Sequence, residues 1–384
     1  MKDLDNILMI ARMNGYSDVH LGGKNHIMMR NNGVLFPYEH SFSTNDVVNM
    51  ILSMLNDVQK EKLKNGKDID MVYVENGHRY RVNVYKERGE LCAALRIIYE
   101  KIRSLGELHL PPVLHQLTKD HRGLVLLTGP TGSGKSTTLA AMINEVNQTR
   151  QCHILTIEDP IEYVYQQNRA LIHQREVGFD VESFDIALRS AMREDPDVIL
   201  VGEIRDRETA EIAIQASQTG HYVLSTIHTI DAIEVITRLR KMGVADYDIA
   251  TTLATTISQR LVRTLCPKCM KERPFNDFEK EVIAKIGEKY GGEFDTKNSK
   301  TYDAVGCEYC NYSGYYGRKG IFEVVNITEN IKEMIMSGAS SIEIRKQAIK
   351  EGYKPLVVDG IQKVINGYTN LQEIDKKLLI FNNE

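Results

Sequence analysis

The sequence predicts an α/β protein with a mostly parallel sheet built around a phosphate-binding loop, preceded by a small α+β module and followed by a four-cysteine knuckle and C-terminal helices. Three observations carry that prediction. Gly129-Pro130-Thr131-Gly132-Ser133-Gly134-Lys135-Ser136 matches G-x-x-x-x-G-K-[ST] and directly follows the apolar run Leu124-Val125-Leu126-Leu127. Strand-like runs alternate with helical stretches from about residue 113 to 265. Two C-x-x-C pairs then lie beyond the last of these strands.

Within residues 1–103, short alternating segments such as 27–35 and 71–85 read as a small sheet, with Asn32-Gly33 and Asn76-Gly77 as hairpin signals. Thr44 to Lys64 has helical spacing, with Thr44 or Asn45 as its cap. Pro111-Pro112 closes a linker at 104–112, because consecutive prolines stiffen the chain and interrupt regular structure. In the core, 113–265, the strands are expected at Leu124 to Thr128, Ile154 to Ile157, Val198 to Val201 and Tyr222 to Thr226. The loop at 129–136 is then a phosphate cradle at the carboxyl end of a strand, with helix formers from Thr137 to Glu145 behind it. Its glycines let backbone N–H groups close around phosphate oxygens, Lys135 adds a point charge, and Ser136 offers a hydroxyl to Mg²⁺. A bound nucleoside triphosphate is the expectation.

Cys266-Pro267-Lys268-Cys269 and Cys307-Glu308-Tyr309-Cys310 are separated by 37 residues within the segment 266–320. Two such pairs in polar, turn-rich surroundings suit a closed tetrahedral Zn²⁺ site, with redox dithiols as the alternative. Cys92 and Cys152 lie in apolar runs and read as small buried hydrophobes. After the first pair the chain reads as charged and irregular, and 321–384 closes with helices around Ser340 to Lys350 and Pro355 to Asn366.

The chain has 384 residues, 42% of them apolar, and a net charge of −4, which gives no global field for nucleic acid. Direct nucleic-acid binding is not expected. With no signal-peptide pattern and no apolar run long enough to span a bilayer, the expected location is the cytoplasm, with any membrane association peripheral and made through a partner.

A phosphate loop specifies what is bound, so later motifs decide the use made of it. The buried run Val198 to Val201 ends in Gly202-Glu203, with glycine where most P-loop enzymes carry the metal-binding aspartate and the acid one residue later. Ile154 to Ile157 runs into Glu158, Asp159 and Glu162, and Thr226-Ile227-His228-Thr229 ends the next strand. Together these segments resemble the secretion ATPase superfamily: the motors of type IV pili, type II secretion and DNA-uptake pseudopili. Its phosphate loop, aspartate box, Walker B ending in Gly-Glu, and histidine box correspond to Gly129–Ser136, Glu158–Glu162, Val198–Glu203 and Thr219-Gly220-His221 through His228. Ser17-Asp18-Val19-His20 is similar to the family's N-terminal signature.

The resemblance implies a RecA-like P-loop ATPase core behind a PAS-like N-terminal module. It implies ATP and Mg²⁺ as ligands, Glu162 orienting or deprotonating the attacking water in preference to Glu158, Glu203 on the Mg²⁺ shell, and His228 sensing the γ-phosphate. It also implies that Arg81 and Arg96 offset transition-state charge, that the chain acts as a homohexamer, and that its partner is an inner-membrane platform protein. The four-cysteine knuckle and the stretch Gly314 to Glu323 resemble the extension and type II secretion branch, whose members usually carry an additional N-terminal docking domain. This sequence opens on the module with which retraction and competence ATPases begin, so a short assembly ATPase is expected, with retraction or DNA uptake and transfer as alternatives.

Overall fold

Hydrophobic alternation and turn chemistry organise the first ninety-eight residues. In the computed structural model, which describes residues 2–22, 27–31, 34–98 and 102–382, the chain divides into two units. One comprises Met1–Lys101 with Glu162–Val164, the other Ile102–Ile161 with Tyr165–Glu384. Helix α1 (Lys2–Met13) of the first unit places Leu4, Ile7, Leu8 and Ala11 on one buried face. Strands β1 (Asp18–Leu21), β2 (Met28–Asn31), β3 (Val34–Pro37), β4 (Ile69–Glu75), β5 (His78–Glu87) and β6 (Glu90–Ile98) form an antiparallel sheet in the order β3-β2-β1-β6-β5-β4. Asn76 and Gly77 both take positive φ between β4 and β5, the backbone a two-residue hairpin needs to match strand twist. The Asn32-Gly33 turn lies outside the described residues.

The single helix expected from Thr44 to Lys64 is two helices, α2 (Thr44–Ser53) and α3 (Asp57–Lys64). Ser43, not Thr44 or Asn45, caps the first through a reciprocal bond with Asp46, and Asn56 caps the second in the same way with Gln59. An apolar Met54-Leu55 continues the helical spacing and hides the break, while the second cap restarts the backbone.

The second unit is built on a seven-stranded sheet. Its strands are β7 (Gly123–Thr128), β8 (His153–Glu158), β9 (Leu171–Glu176), β10 (Val198–Val201), β11 (Tyr222–Ile227), β12 (Leu253–Leu265) and, beyond the cysteine region, a long final strand Tyr315–Asn326. All pairs are parallel except that the final strand runs antiparallel to β12. Parallel neighbours require crossovers, supplied here by α5 (Lys135–Thr149), α6 (Phe184–Ala191), α7 (Arg207–Gln218), α8 (Glu234–Lys241) and α9 (Asp246–Thr252). Burial on both faces explains why β7 and β10 read as nearly continuous apolar runs, and why β11 buries even its Ser225 and Thr226. Pro112 does not end regular structure but begins it, at the first position of the short helix α4 (Pro112–Leu117), where its missing N–H costs nothing.

The segment expected to be irregular after the first cysteine pair is ordered. It holds β13 (Lys271–Pro274) and β14 (Lys300–Asp303), paired antiparallel, and α10 (Asp277–Tyr290), opened by an Asn276–Glu279 capping box and closed by Gly291 at φ 71°. Few inward positions, among them Val282 and Ile283, are apolar, so charge masked the helix. The final strand of the large sheet is then β15 (Tyr315–Asn326), followed by α11 (Glu329–Met336), α12 (Ser341–Lys350), α13 (Leu356–Ile365) and α14 (Leu371–Leu378). Among the described residues no helix is long and apolar enough to cross a membrane.

Candidate functional site

The phosphate loop occupies the turn from β7 into α5. Gly134 caps α5 at φ 90°, and the first helical residues are Lys135, Ser136 and Thr137, so the N-terminal end of the helix, with its positive dipole end, faces the loop. Gly129 has no room for a side chain: a Cβ there would come within 2.4 Å of the Gln259 carbonyl oxygen. A Cβ on Gly134 would come within 2.8 Å of Gln259 Nε2. Gln259 on β12 is itself buried, and its Oε1 accepts a 2.8 Å hydrogen bond from Thr138 of α5. One residue thus closes on both ends of the cradle, its backbone carbonyl against Gly129 and its side chain against Gly134. Lys135 Nζ donates to the carbonyl oxygens of Gly129 at 2.9 Å and Pro130 at 3.3 Å, while Ser136 is exposed at the head of the helix. Thr131 and Gly132 at the loop tip are exposed and Ser133 is buried.

Glu203 follows β10, two strands from β7 in the sheet. Arg205 forms a hydrogen-bonded ion pair with its Oε1, and His228 Nε2 lies 3.5 Å from its Oε2. The Arg205 hydrogen bond, with the charges of Arg205, His228 and Lys135, holds this carboxyl below its ordinary range despite partial burial. Arg205 also reaches Asp159, at 3.7 Å. Gly202, where an aspartate is usual, lies against the end of β8. A Cβ would approach the Ile157 carbonyl oxygen to 3.3 Å, and the Gly202 N–H already donates to that oxygen. The histidine-box loop is tied to the cradle: Thr229 N–H donates to Thr128 Oγ1 at 2.8 Å, at the end of β7.

Among the carboxylates at and beyond the end of β8, Glu158 is buried and accepts from Thr156 and Gln174. Glu162 is exposed and groups with the first unit. His221 bonds the Ala216 carbonyl oxygen at the end of α7. In the first unit, Arg81 and Arg96 are exposed and directly opposite on β5 and β6, and Arg96 pairs with Asp18 at 2.9 Å.

Cys266, Cys269, Cys307 and Cys310 converge, with all four sulfurs within 4.8 Å of one another. Neighbouring Sγ atoms are 3.8–3.9 Å apart. A tetrahedral site with Zn–S bonds of about 2.3 Å has edges of about 3.8 Å, whereas a disulfide needs about 2.05 Å. N–H groups of Gly306, Cys307 and Gly314 point at the sulfurs from 3.2–3.3 Å, as thiolates require. The cluster can hold a metal ion. Cys92 is buried as expected, but Cys152 is only partly so.

Sequence reasoning missed Arg205 and Gln259. The first was legible as a cation two residues beyond the acid; nothing local marks the second.

A strand, a glycine-rich loop and a helix N-terminus, with an ionised acid at the end of a second parallel strand, define the P-loop nucleotide-binding class. Within it, residues 1–376 match the family described as Type II/IV secretion system protein, and the chain belongs to that family. It is 44% identical over 263 residues, 68% of its length and 50% of the relative's, to the type II secretion system protein E of Aeromonas hydrophila. It is 34% identical over 388 aligned residues, 97% of its length and 64% of the relative's, to the type IV pilus assembly ATPase TfpB of Acinetobacter baylyi. The chain thus spans about half to two-thirds of these relatives' length. Among solved structures, it resembles the pilus retraction motor PilT with bound ADP, at TM-score 0.77 and 30% identity over 97% of this chain and 96% of that one. The Legionella pneumophila ATPase DotB gives TM-score 0.74 and 26% identity over 99% and 95%.

Proposed function

We propose that this chain is a cytoplasmic, ATP-hydrolysing motor subunit that drives assembly of a type IV pilus or pseudopilus. The observation that carries the hydrolytic reading is Glu203, kept ionised by Arg205 and His228 and within the field of Lys135. The assembly service rests on the four-sulfur cluster together with the alignment along 97% of the chain to a pilus assembly ATPase.

In this reading the backbone from Gly129 to Thr137 and Lys135 hold the phosphates, and Ser136 and Glu203 hold the Mg²⁺, which neutralises charge on the phosphoryl oxygens. Glu162 orients the attacking water. Glu158 is less suited because Thr156 and Gln174 already engage it. His228 reports γ-phosphate loss through the loop that Thr229 ties to β7, and Arg81 and Arg96 offset transition-state charge. Zn²⁺ at the four cysteines has a structural role. The segments 1–103, 113–265, 266–320 and 321–384 act as PAS-like module, ATPase core, zinc region and helical end, with 104–112 linking the first two. The motor is a homohexamer held at the inner face of the membrane by a platform protein.

Steady-state ATP hydrolysis by the wild type, Lys135→Ala and Glu162→Gln tests this. Turnover in the wild type alone is expected; a wild type without turnover overturns the reading, and stimulation by DNA would favour a translocase. The likeness to the retraction motor along 97% of the chain favours a second reading. Deleting the gene distinguishes them: loss of pili fits assembly, and excess pili fit retraction.

A further inference from the structure

The second unit contains a cavity of about 720 Å³ lined by no residue of the phosphate loop. Pockets that hold small organic ligands span about 300–1,000 Å³. Its apolar wall comes from Val282 and Ile286 on α10, Leu356 on α13 and Leu378 on α14. These side chains belong to one apolar cluster, so the wall is an opened part of a core.

The polar groups around it are unequal in what they have left to bind. Asp231 pairs with Arg345 at 2.7 Å. Glu323 is buried and accepts hydrogen bonds from the N–H groups of Ala232 and Leu356 and from the Tyr353 hydroxyl. Both acids are therefore consumed within the protein. Lys289 and Lys377 are exposed on the lining, and neither forms an ion pair among the described residues. Arg260 lines the cavity as well: its Nη2 donates to the Ile230 carbonyl oxygen at 2.9 Å, and its Nε is buried with no partner among the described residues. A buried guanidinium N–H without a partner costs free energy that an anionic oxygen recovers.

An apolar wall beside three cations selects one kind of occupant. We propose that this cavity binds a small amphiphilic anion, its hydrocarbon part against Val282, Ile286, Leu356 and Leu378 and its phosphate or carboxylate against Arg260, Lys289 and Lys377. Binding here does not depend on the ATPase reading.

Calorimetric titration of the full chain with dodecyl phosphate, below its critical micelle concentration, tests the proposal. One dodecyl phosphate per chain is expected, with no detectable binding of inorganic phosphate and much weaker binding of neutral dodecyl maltoside. The doubly reversed variant Lys289→Glu/Lys377→Glu, whose exposed positions leave the fold intact, should weaken it by about tenfold or more. Vesicles of phosphatidylcholine with and without phosphatidylglycerol separate the sources. Co-sedimentation that needs the anionic lipid and is lost in the double variant identifies a membrane lipid, and its absence with retained dodecyl phosphate binding identifies a free amphiphile. No binding of dodecyl phosphate, or equal binding of the neutral amphiphile undiminished in the double variant, would overturn the site.

Discussion

His228 Nε2 stands 3.5 Å from one oxygen of Glu203 while Arg205 holds the other, so a single carboxylate ties the end of β10 to the histidine-box loop. Its folded-state pKa is lowered, chiefly by Arg205, so it contributes stability above the ordinary carboxylate range and loses it as pH falls through the depressed folded value. Arg205→Ala should therefore lower Tm near neutrality and converge with the wild type in acid. Thermal unfolding followed from pH 7 down to pH 3 reads this directly; parallel curves across that range would remove Arg205 as the cause.

Gln259 makes a different prediction, because it touches the phosphate loop from a strand that carries no nucleotide motif. Gln259→Ala deletes the acceptor for the buried Thr138 hydroxyl, at a cost of about 1–3 kcal/mol, and removes the side chain beside Gly134 while leaving the carbonyl oxygen beside Gly129 in place. ATP affinity should fall more than stability alone explains, and Gln259→Glu, which keeps the acceptor oxygen, should recover part of it. Gly129→Ala should abolish nucleotide binding, since its Cβ meets backbone rather than a movable side chain. Fluorescent nucleotide titration of the three variants, with Tm measured alongside, is the check. Unchanged affinity in Gln259→Ala would refute the bracing role.

The contrast between these two sites shows what the sequence could disclose. The cradle is local: an apolar strand, a glycine loop and a helix start are contiguous, and the expected strands at 124–128, 154–157, 198–201 and 222–226 all appear. The cysteine pairs were legible because each knuckle has its own spacing. Gln259 was not, since its importance arises only when β12 pairs with β7, and the α2–α3 break was hidden by apolar residues that keep helical spacing across it. Helix α10 escaped notice because its exposed charges outnumber its few inward apolar positions.

The sulfur cluster predicts a metal-dependent region. β12 leads into Cys266, and Cys266 N–H bonds the Gly314 carbonyl oxygen, so the site fastens the start of β15 to the end of β12. Elemental analysis should give about one zinc per chain, since four thiolates close a tetrahedron. Cys266→Ser/Cys269→Ser should lose it and unfold at lower temperature, with strong chelators producing the same shift in the wild type. A metal-free chain with unchanged Tm would exclude a structural metal.

Arg81 and Arg96 separate stability from function. They sit directly opposite across β5 and β6, where like charges cost about 0.2–1 kcal/mol, and Arg96 is relieved by Asp18 on β1. Arg81→Ala should leave Tm unchanged or raise it slightly. Arg96→Ala breaks an exposed pair and should cost no more than about 1 kcal/mol. If both guanidiniums serve the nucleotide, each variant nonetheless loses turnover, by about tenfold or more, because charge supplied to a phosphoryl transition state acts on kcat. Measuring kcat and Tm together decides between the roles: lower kcat at unchanged Tm places the arginine in the chemistry, whereas unchanged kcat leaves it as part of the sheet's surface charge.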